Sequence, residues 1–171
     1  MKPFSIFLVA ATLALASCAH DELETNVDPR FEREVLAVKF DPAATLAALN
    51  AYRESKGFRP VRLDAELSAM AQHQADEMAD HGELSHTVAG AFTSRLAEAH
   101  VVAEEAGENL GAGYFSLDDA MAGWKGSAEH NVNMLRPGFT RIGVAIAKNA
   151  HSHWGVFWAM DFASDPATAL Q

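Results

Sequence analysis

The chain has a single cysteine in 171 residues, at position 18. One thiol cannot form an internal disulfide, and it leaves no cysteine-built metal site and no cysteine nucleophile further down the chain. Basic residues are also scarce: 13 Lys and Arg face 23 Asp and Glu, a formal net charge of −10. No basic patch stands out, which makes nucleic acid and anionic lipid headgroups poor partners. The apolar stretch over residues 4–16 is too short to span a bilayer. There is no HExxH helix. Neither an internal repeat nor a low-complexity tract is visible.

The front of the chain carries an address. Met1-Lys2 is a short basic start, residues 4–16 are apolar, and Leu15-Ala16-Ser17 sets small residues before Cys18. This is the layout of a signal peptide over 1–17, and the cysteine at the cleavage point makes it a bacterial lipoprotein signal. Cys18 would carry the lipid, and membrane association would come from its acyl chains alone. An export signal without disulfides leaves a domain of ordinary size that must rely on its core. Ala19 lacks the acidic character that commonly retains lipoproteins at an inner membrane. In a two-membrane cell, the outer membrane is therefore expected. Residues 18–40 read as the lipidated cysteine and a tether, with a short helix near 32–38.

The domain itself is expected over 41–165, with a tail at 166–171. Asp41-Pro42 starts a helix, and Gly57 stops it. Asp64 caps the next, whose stripe is Leu67, Met70, Ala71, Gln74 and Met78 and whose end is Gly82. A short helix covers 91–99. An extended stretch from Val101 ends in a Gly107-Glu108-Asn109 turn. Ser116 and Asp119 form a capping box opening a helix that carries Met121, Trp124 and Ser127 and ends near His130. Residues 133–138 read as a turn. Ile142, Val144 and Ile146 then alternate with small residues, and Trp154, Val156, Trp158 and Met160 alternate in a second strand. Both strands are apolar or small on both faces, so the sheet is covered on both sides. The fold class is α+β: a three-layer α-β-α sandwich with a small antiparallel sheet.

Three residues beside element ends carry the candidate chemistry: His86, Glu108 and His130. Two imidazoles and a carboxylate suffice as a first shell for zinc, with a water in the open position, and the same set suits general acid/base work. Trp124, Ser127 and His130 are spaced by three and are expected to share a helix face. Spacing alone does not show that residues scattered over some forty positions meet. The bland reading makes His86 a capping or surface group, Asn109 a turn residue and Trp124 core. The same trio would then tie elements together without binding anything. His151 and His153 form a His-x-His pair in a loop, where solvation is the ordinary fate. His73 and His81 read as surface residues.

The ordered series is more specific than any piece. It runs through Leu84-Ser85-His86, Phe92-x-x-Arg95-Leu96 and Gly107-Glu108-Asn109-Leu110. It continues with Trp124-x-x-Ser127-x-x-His130-x-x-Asn133-x-Leu135-x-Pro137-x-Phe139-Thr140-x-Ile142-Gly143-Val144 and closes on Trp158-x-x-Asp161-Phe162-Ala163. This resembles the CAP superfamily of cysteine-rich secretory, antigen 5 and pathogenesis-related proteins, in its disulfide-free bacterial branch, also called SCP domains. The resemblance covers about residues 46–163 and implies the α-β-α sandwich. It also implies a cleft with two histidines and two acids that often holds zinc or another divalent ion. By motif, His86 and His130 match the histidines and Glu108 one acid. The other acid's position holds Ser127, a poor ligand, and Glu104 or Glu105 would be the substitutes.

The family shares no single activity, since fold does not fix function. The expectation is an exported, envelope-anchored binding module for a small or lipid ligand or an envelope partner, with Asn109 and Ser127 beside the cleft and a divalent metal as possible cofactor. The alternative is a metal-dependent hydrolase, with His86 and His130 on zinc and Glu108 as third ligand or general base. Ser127 as a nucleophile activated by His130 stands third.

Overall fold

The computed structural model describes residues 27–166. The signal segment 1–17, Cys18 and residues 167–171 of the expected tail lie outside the described residues. Along the chain come α1 (Pro29–Ala37), α2 (Pro42–Ser55), β1 (Arg62–Leu63), α3 (Ala65–His81) and α4 (Phe92–Glu98). They are followed by β2 (Ala106–Ala112), α5 (Leu117–Gly126), α6 (Ala128–Leu135), β3 (Arg141–Asn149) and β4 (Gly155–Ala163).

The helix starts follow their caps. The Asp41 carboxylate accepts from the Ala43 N–H with Pro42 at the first helical position, and Asp64 accepts from the Leu67 N–H. Gly82, left-handed at φ 65°, closes α3. Ser116 accepts from the Asp119 N–H at 3.1 Å and donates to the Asp119 carboxylate at 2.6 Å.

The strand order is β1-β3-β4-β2. β2, β4 and β3 pair antiparallel, and the two-residue β1 adds a short parallel pair to β3. β4 is central and buried along its whole length. Its period-two pattern sorts the core into two layers. Val156, Trp158, Met160 and Phe162, with Ile142 and Val144, pack against Val35, Leu49, Trp124 and Met134 from α1, α2, α5 and α6. On the other face Phe157, Ala159 and Ala145 meet Ala71, Ala75 and Met78 of α3, and Ala163 meets Leu67 and Met70. This is an α-β-α sandwich. Small residues on the α3 face let that helix lie close. A Cβ at Gly143 would run into the backbone of Leu67 and Ser68.

Four local expectations change. The short helix expected within the tether is α1, nine residues long, and its Val35 is fully buried, so the stretch packs on the domain rather than serving as a spacer. The folded unit therefore begins before Asp41. Gly107-Glu108-Asn109 is not a turn but lies inside β2. The helix expected to run from Ser116 to His130 breaks at Ser127, which is extended at φ −92°, ψ 123° and caps α6. Trp124 and His130 therefore sit on different helices and share no face. Asn133, Met134 and Leu135, read as part of a turn, finish α6.

Candidate functional site

The site forms where edge strand β2 lies between the two helical layers. Backbone bonds from Gly113 N to Val156 O and from Ser164 N to Glu105 O put the odd-numbered residues of β2 into hydrogen-bonded pairs. Glu108 and Asp161, directly opposite each other, are therefore a non-hydrogen-bonded pair, with side chains close together on the α3 face. Asn109 points to the α6 face.

On the α3 face, Glu108 is held at both oxygens. His86, in the loop after α3, donates from Nδ1 to Oε1 at 2.7 Å. Arg95 of α4 donates from Nη2 to Oε2 at 2.7 Å. The Glu108 and Arg95 side chains are 3% and 1% exposed, whereas that of His86 is 59% exposed. Arg95 also reaches the carbonyls of His86 and Gly90, each at 3.3 Å, and so fixes the loop that presents His86. Gln74 on α3 pins the same loop by donating to the Ser85 carbonyl at 2.6 Å.

On the α6 face, Asn109 donates to the His130 carbonyl at 3.0 Å and accepts from Asn133 at 2.9 Å. Asn133 also donates to the outward carbonyl of Glu108 at 3.2 Å, and the Trp124 indole donates to that of Leu110 at 2.9 Å. These side chains satisfy edge carbonyls that a further strand would otherwise claim. Gly107 is closely covered: a Cβ there would lie 3.0 Å from the Asn133 amide oxygen and 3.1 Å from the Phe139 ring, so those side chains would have to give way. Ser127 accepts from the His130 N–H at 3.4 Å.

The electrostatics separate the two histidines. The hydrogen bond to Glu108 raises His86 above the ordinary histidine range, against the opposing effect of burial. His130 is lowered, first by burial and then by the charge of His86. The two rings are therefore within electrostatic reach of each other across the β2 edge.

Sequence reasoning passed over two members of this corner, although both stand in the motif series. Arg95 is the buried partner of Glu108. Asp161 is fully buried and faces Glu108 across the strands. Burial pushes its carboxyl well above the usual range, the charge of Glu108 pushes it further, Arg95 opposes, and a hydrogen bond with Glu108 adds to the rise. The signal for Asp161 was its phase. It is the single acid in a strand buried on both faces, in register with Phe157 and Ala159. Glu105 ion-pairs with Arg136 at 3.0 Å on the surface and does not join the site. The His153 ring lies tilted against Trp154, with 4.3 Å between centroids.

As a metal centre the donor set fits poorly in this geometry. Both Glu108 oxygens are engaged by donors, the Ser127 oxygen caps a helix, and only the two imidazoles stay available. Among the described residues, no group of three His, Cys, Asp or Glu side chains is arranged to hold a metal ion.

The architecture and this corner define a class: an α-β-α sandwich with a histidine–carboxylate cluster on the edge of its sheet. The chain belongs to the cysteine-rich secretory protein family, CAP, whose profile matches residues 46–162. YkwD of Bacillus subtilis is 28% identical over 115 residues, covering 66% of this chain and 43% of that protein. The membrane protein YlbC of the same organism is 27% identical over 105 residues, covering 60% and 30%. The chain thus spans less than half of either relative. Among solved structures, an extracellular SCP-domain protein of Bacillus anthracis shares the fold at TM-score 0.66 and 24% identity, covering 72% of this chain and 40% of that one. An outer surface protein of Borrelia burgdorferi does so at TM-score 0.63 and 15% identity, covering 81% and 96%.

Proposed function

We propose that this CAP domain is exported, held at the cell envelope by a lipid on Cys18, and works as a binding module for a small or lipid ligand or an envelope partner. The cleft is walled by His86, Glu108 and His130, and Asn109 and Ser127 fix those walls. Export is supported by the signal layout of residues 1–18 and by the company the domain keeps, which includes an extracellular protein, an outer surface protein and a membrane protein.

The observation that carries binding over catalysis is the state of Glu108. A general base must lie within hydrogen-bond reach of the proton it takes. Glu108 instead has a side chain only 3% exposed, with one oxygen turned to His86 and the other to a buried guanidinium. It fixes the wall of the cleft and leaves the exposed edge of His86 and the ring of His130 as the polar surface a ligand would meet. A groove of about 380 Å³ along α6, lined by Asn131, Val132, Leu135, Arg136 and Pro137, offers apolar area on the helix that carries His130.

One observation keeps the hydrolase reading alive. His130 is shifted toward its neutral form, the form that accepts a proton or a zinc ion. Calorimetric zinc titration of the protein beside the His86→Ala/His130→Ala double variant separates the readings, with ester and peptide hydrolysis assayed in Glu108→Gln. The binding-module reading expects no zinc-dependent turnover and none that Glu108→Gln removes. Stoichiometric zinc binding lost in the double variant, together with turnover abolished in Glu108→Gln, would replace it with the hydrolase.

A further inference from the structure

We infer that the end of the sandwich built from the start of α1 and the β3–β4 loop faces the bilayer, and that the cleft is held off the membrane surface. The inference rests on the lipid at Cys18 proposed above and narrows that reading: the ligand or partner arrives from the aqueous side, not from within the bilayer.

The point where the chain enters the fold is fixed. Val27 and Asp28 line one groove with Phe31 of α1 and with Ala150 and His153 of the loop joining β3 to β4. α1 is fastened there. Val35 is fully buried, a Cβ on Gly155 would run into Val35 and Phe31, and Lys148 donates to the carbonyls of Leu36 and Val38. Only residues 19–26 separate Cys18 from Val27. Even fully extended, that stretch spans about 30 Å, roughly the diameter of a small domain. The opposite end of the sandwich therefore meets the bilayer only if the whole stretch is drawn out along the side of the domain, at the full cost in chain entropy. Charge offers no competing orientation, because a chain with a net charge of −10 and no basic patch has no face that anionic headgroups would attract.

The strand register gives the distance of the cleft from the anchored end. Glu108 pairs with Asp161, well along β4 from its start at Gly155. From 155 to 161 is about 20 Å of strand. Val102 lies further on, at the far end of the sheet. Arg141, paired there with Ala163, donates to the Val102 carbonyl.

The mature lipidated protein in phosphatidylcholine vesicles, with an acceptor dye on a fraction of the headgroups, tests the orientation. Ala150→Cys and Val102→Cys variants are each labelled with a donor dye. Cys18 takes none, since the lipid occupies its sulfur. Val102 is 66% exposed, so its replacement leaves the core intact. The two positions are about 25 Å apart along the strands, and energy transfer from position 150 should be at least about twofold that from position 102. Equal transfer, or stronger transfer from position 102, would overturn the orientation and leave the anchor standing. No transfer from either position would mean that the protein does not stay on the vesicle, and would remove the anchor and the orientation together.

Discussion

Glu108 has two cationic partners of unequal value. Its bond to Arg95 joins two buried side chains, and its bond to His86 reaches a ring that is more than half exposed. Removing Arg95 leaves a buried carboxylate short of its partner. Arg95→Met should therefore lower stability by about 3–5 kcal/mol, read by urea unfolding. His86→Ala removes a solvent-screened partner and should cost no more than about 1 kcal/mol. Comparable losses would mean that the exposed pair holds the strand edge as firmly as the buried one. The same corner sets a pH dependence. His86 is raised by its bond to Glu108, so its contribution is complete below the ordinary histidine value of about 6.5 and is lost as pH climbs through the raised value. Asp161 is raised by burial and by Glu108, so its contribution is complete below the ordinary carboxylate range and is lost as pH climbs through its own raised value. Both act in one direction, whereas His130, lowered by burial, makes stability rise with pH as the ordinary histidine value is approached from below. The signs are therefore read from differences: Asp161→Asn should remove a fall in thermal stability that begins near the carboxylate range, and a variant whose pH profile runs parallel to the parent's would contradict the Asp161 assignment.

Among the elements, caps were legible and breaks were not. Asp41-Pro42, Asp64 and Ser116 each mark a helix start by local chemistry, and each starts one. The break at Ser127 is hidden because Trp124, Ser127 and His130 keep a spacing of three, which a continuous helix also produces. Only the turn of the backbone at Ser127 shows that the side chain has become a cap. Ser127→Ala should cost about 1 kcal/mol or less, since the bond it removes is long at 3.4 Å. A loss of several kcal/mol would give Ser127 a role beyond the cap. Gly107-Glu108-Asn109 misleads in the opposite way. Gly107 and Asn109 are turn formers by propensity, but the ladder to β4 and the contacts of Arg95, His86 and Asn133 hold the stretch in a strand, and none of these is local. In the sequence Gly143 is simply a small residue alternating with the apolar face of its strand. Its other consequence is the approach of α3, which rests on the backbone above it. Gly143→Ala should push the helix off the sheet and cost about 3 kcal/mol or more, measured by denaturant unfolding, and a mild effect would mean that α3 can slide.

For the whole molecule, the alternation of β3 and β4 was enough to place a covered sheet, because a strand apolar on both faces needs two layers. Those layers could be anticipated from periodicity, but the contribution of α1 could not. Its sequence is charged, and its apolar contacts, the half-buried Phe31, the buried Val35 and the buried Val38 at its end, are few and separated. Their value comes from what they meet at the far end of the sheet. Gly155, left-handed at φ 69°, leaves space that Val35 and Phe31 fill: a Cβ there would lie 2.5 Å from Val35 and 2.9 Å from Phe31. Lys148 then fastens the end of the helix by donating to the Val38 carbonyl at 2.6 Å and the Leu36 carbonyl at 3.1 Å. Phe40 follows, edge-on to Trp158 at 5.9 Å. A chain begun at Asp41, where composition alone draws the domain boundary, would strip this cover from Val156 and Trp158 in the central strand. Val35→Ala in the intact protein should cost about 1–3 kcal/mol through the cavity it leaves. The shortened chain should lose more, unfolding at a distinctly lower temperature than one begun at Val27 or failing to stay in solution. Equal melting temperatures for the two would show that α1 rests on the sheet without stabilising it.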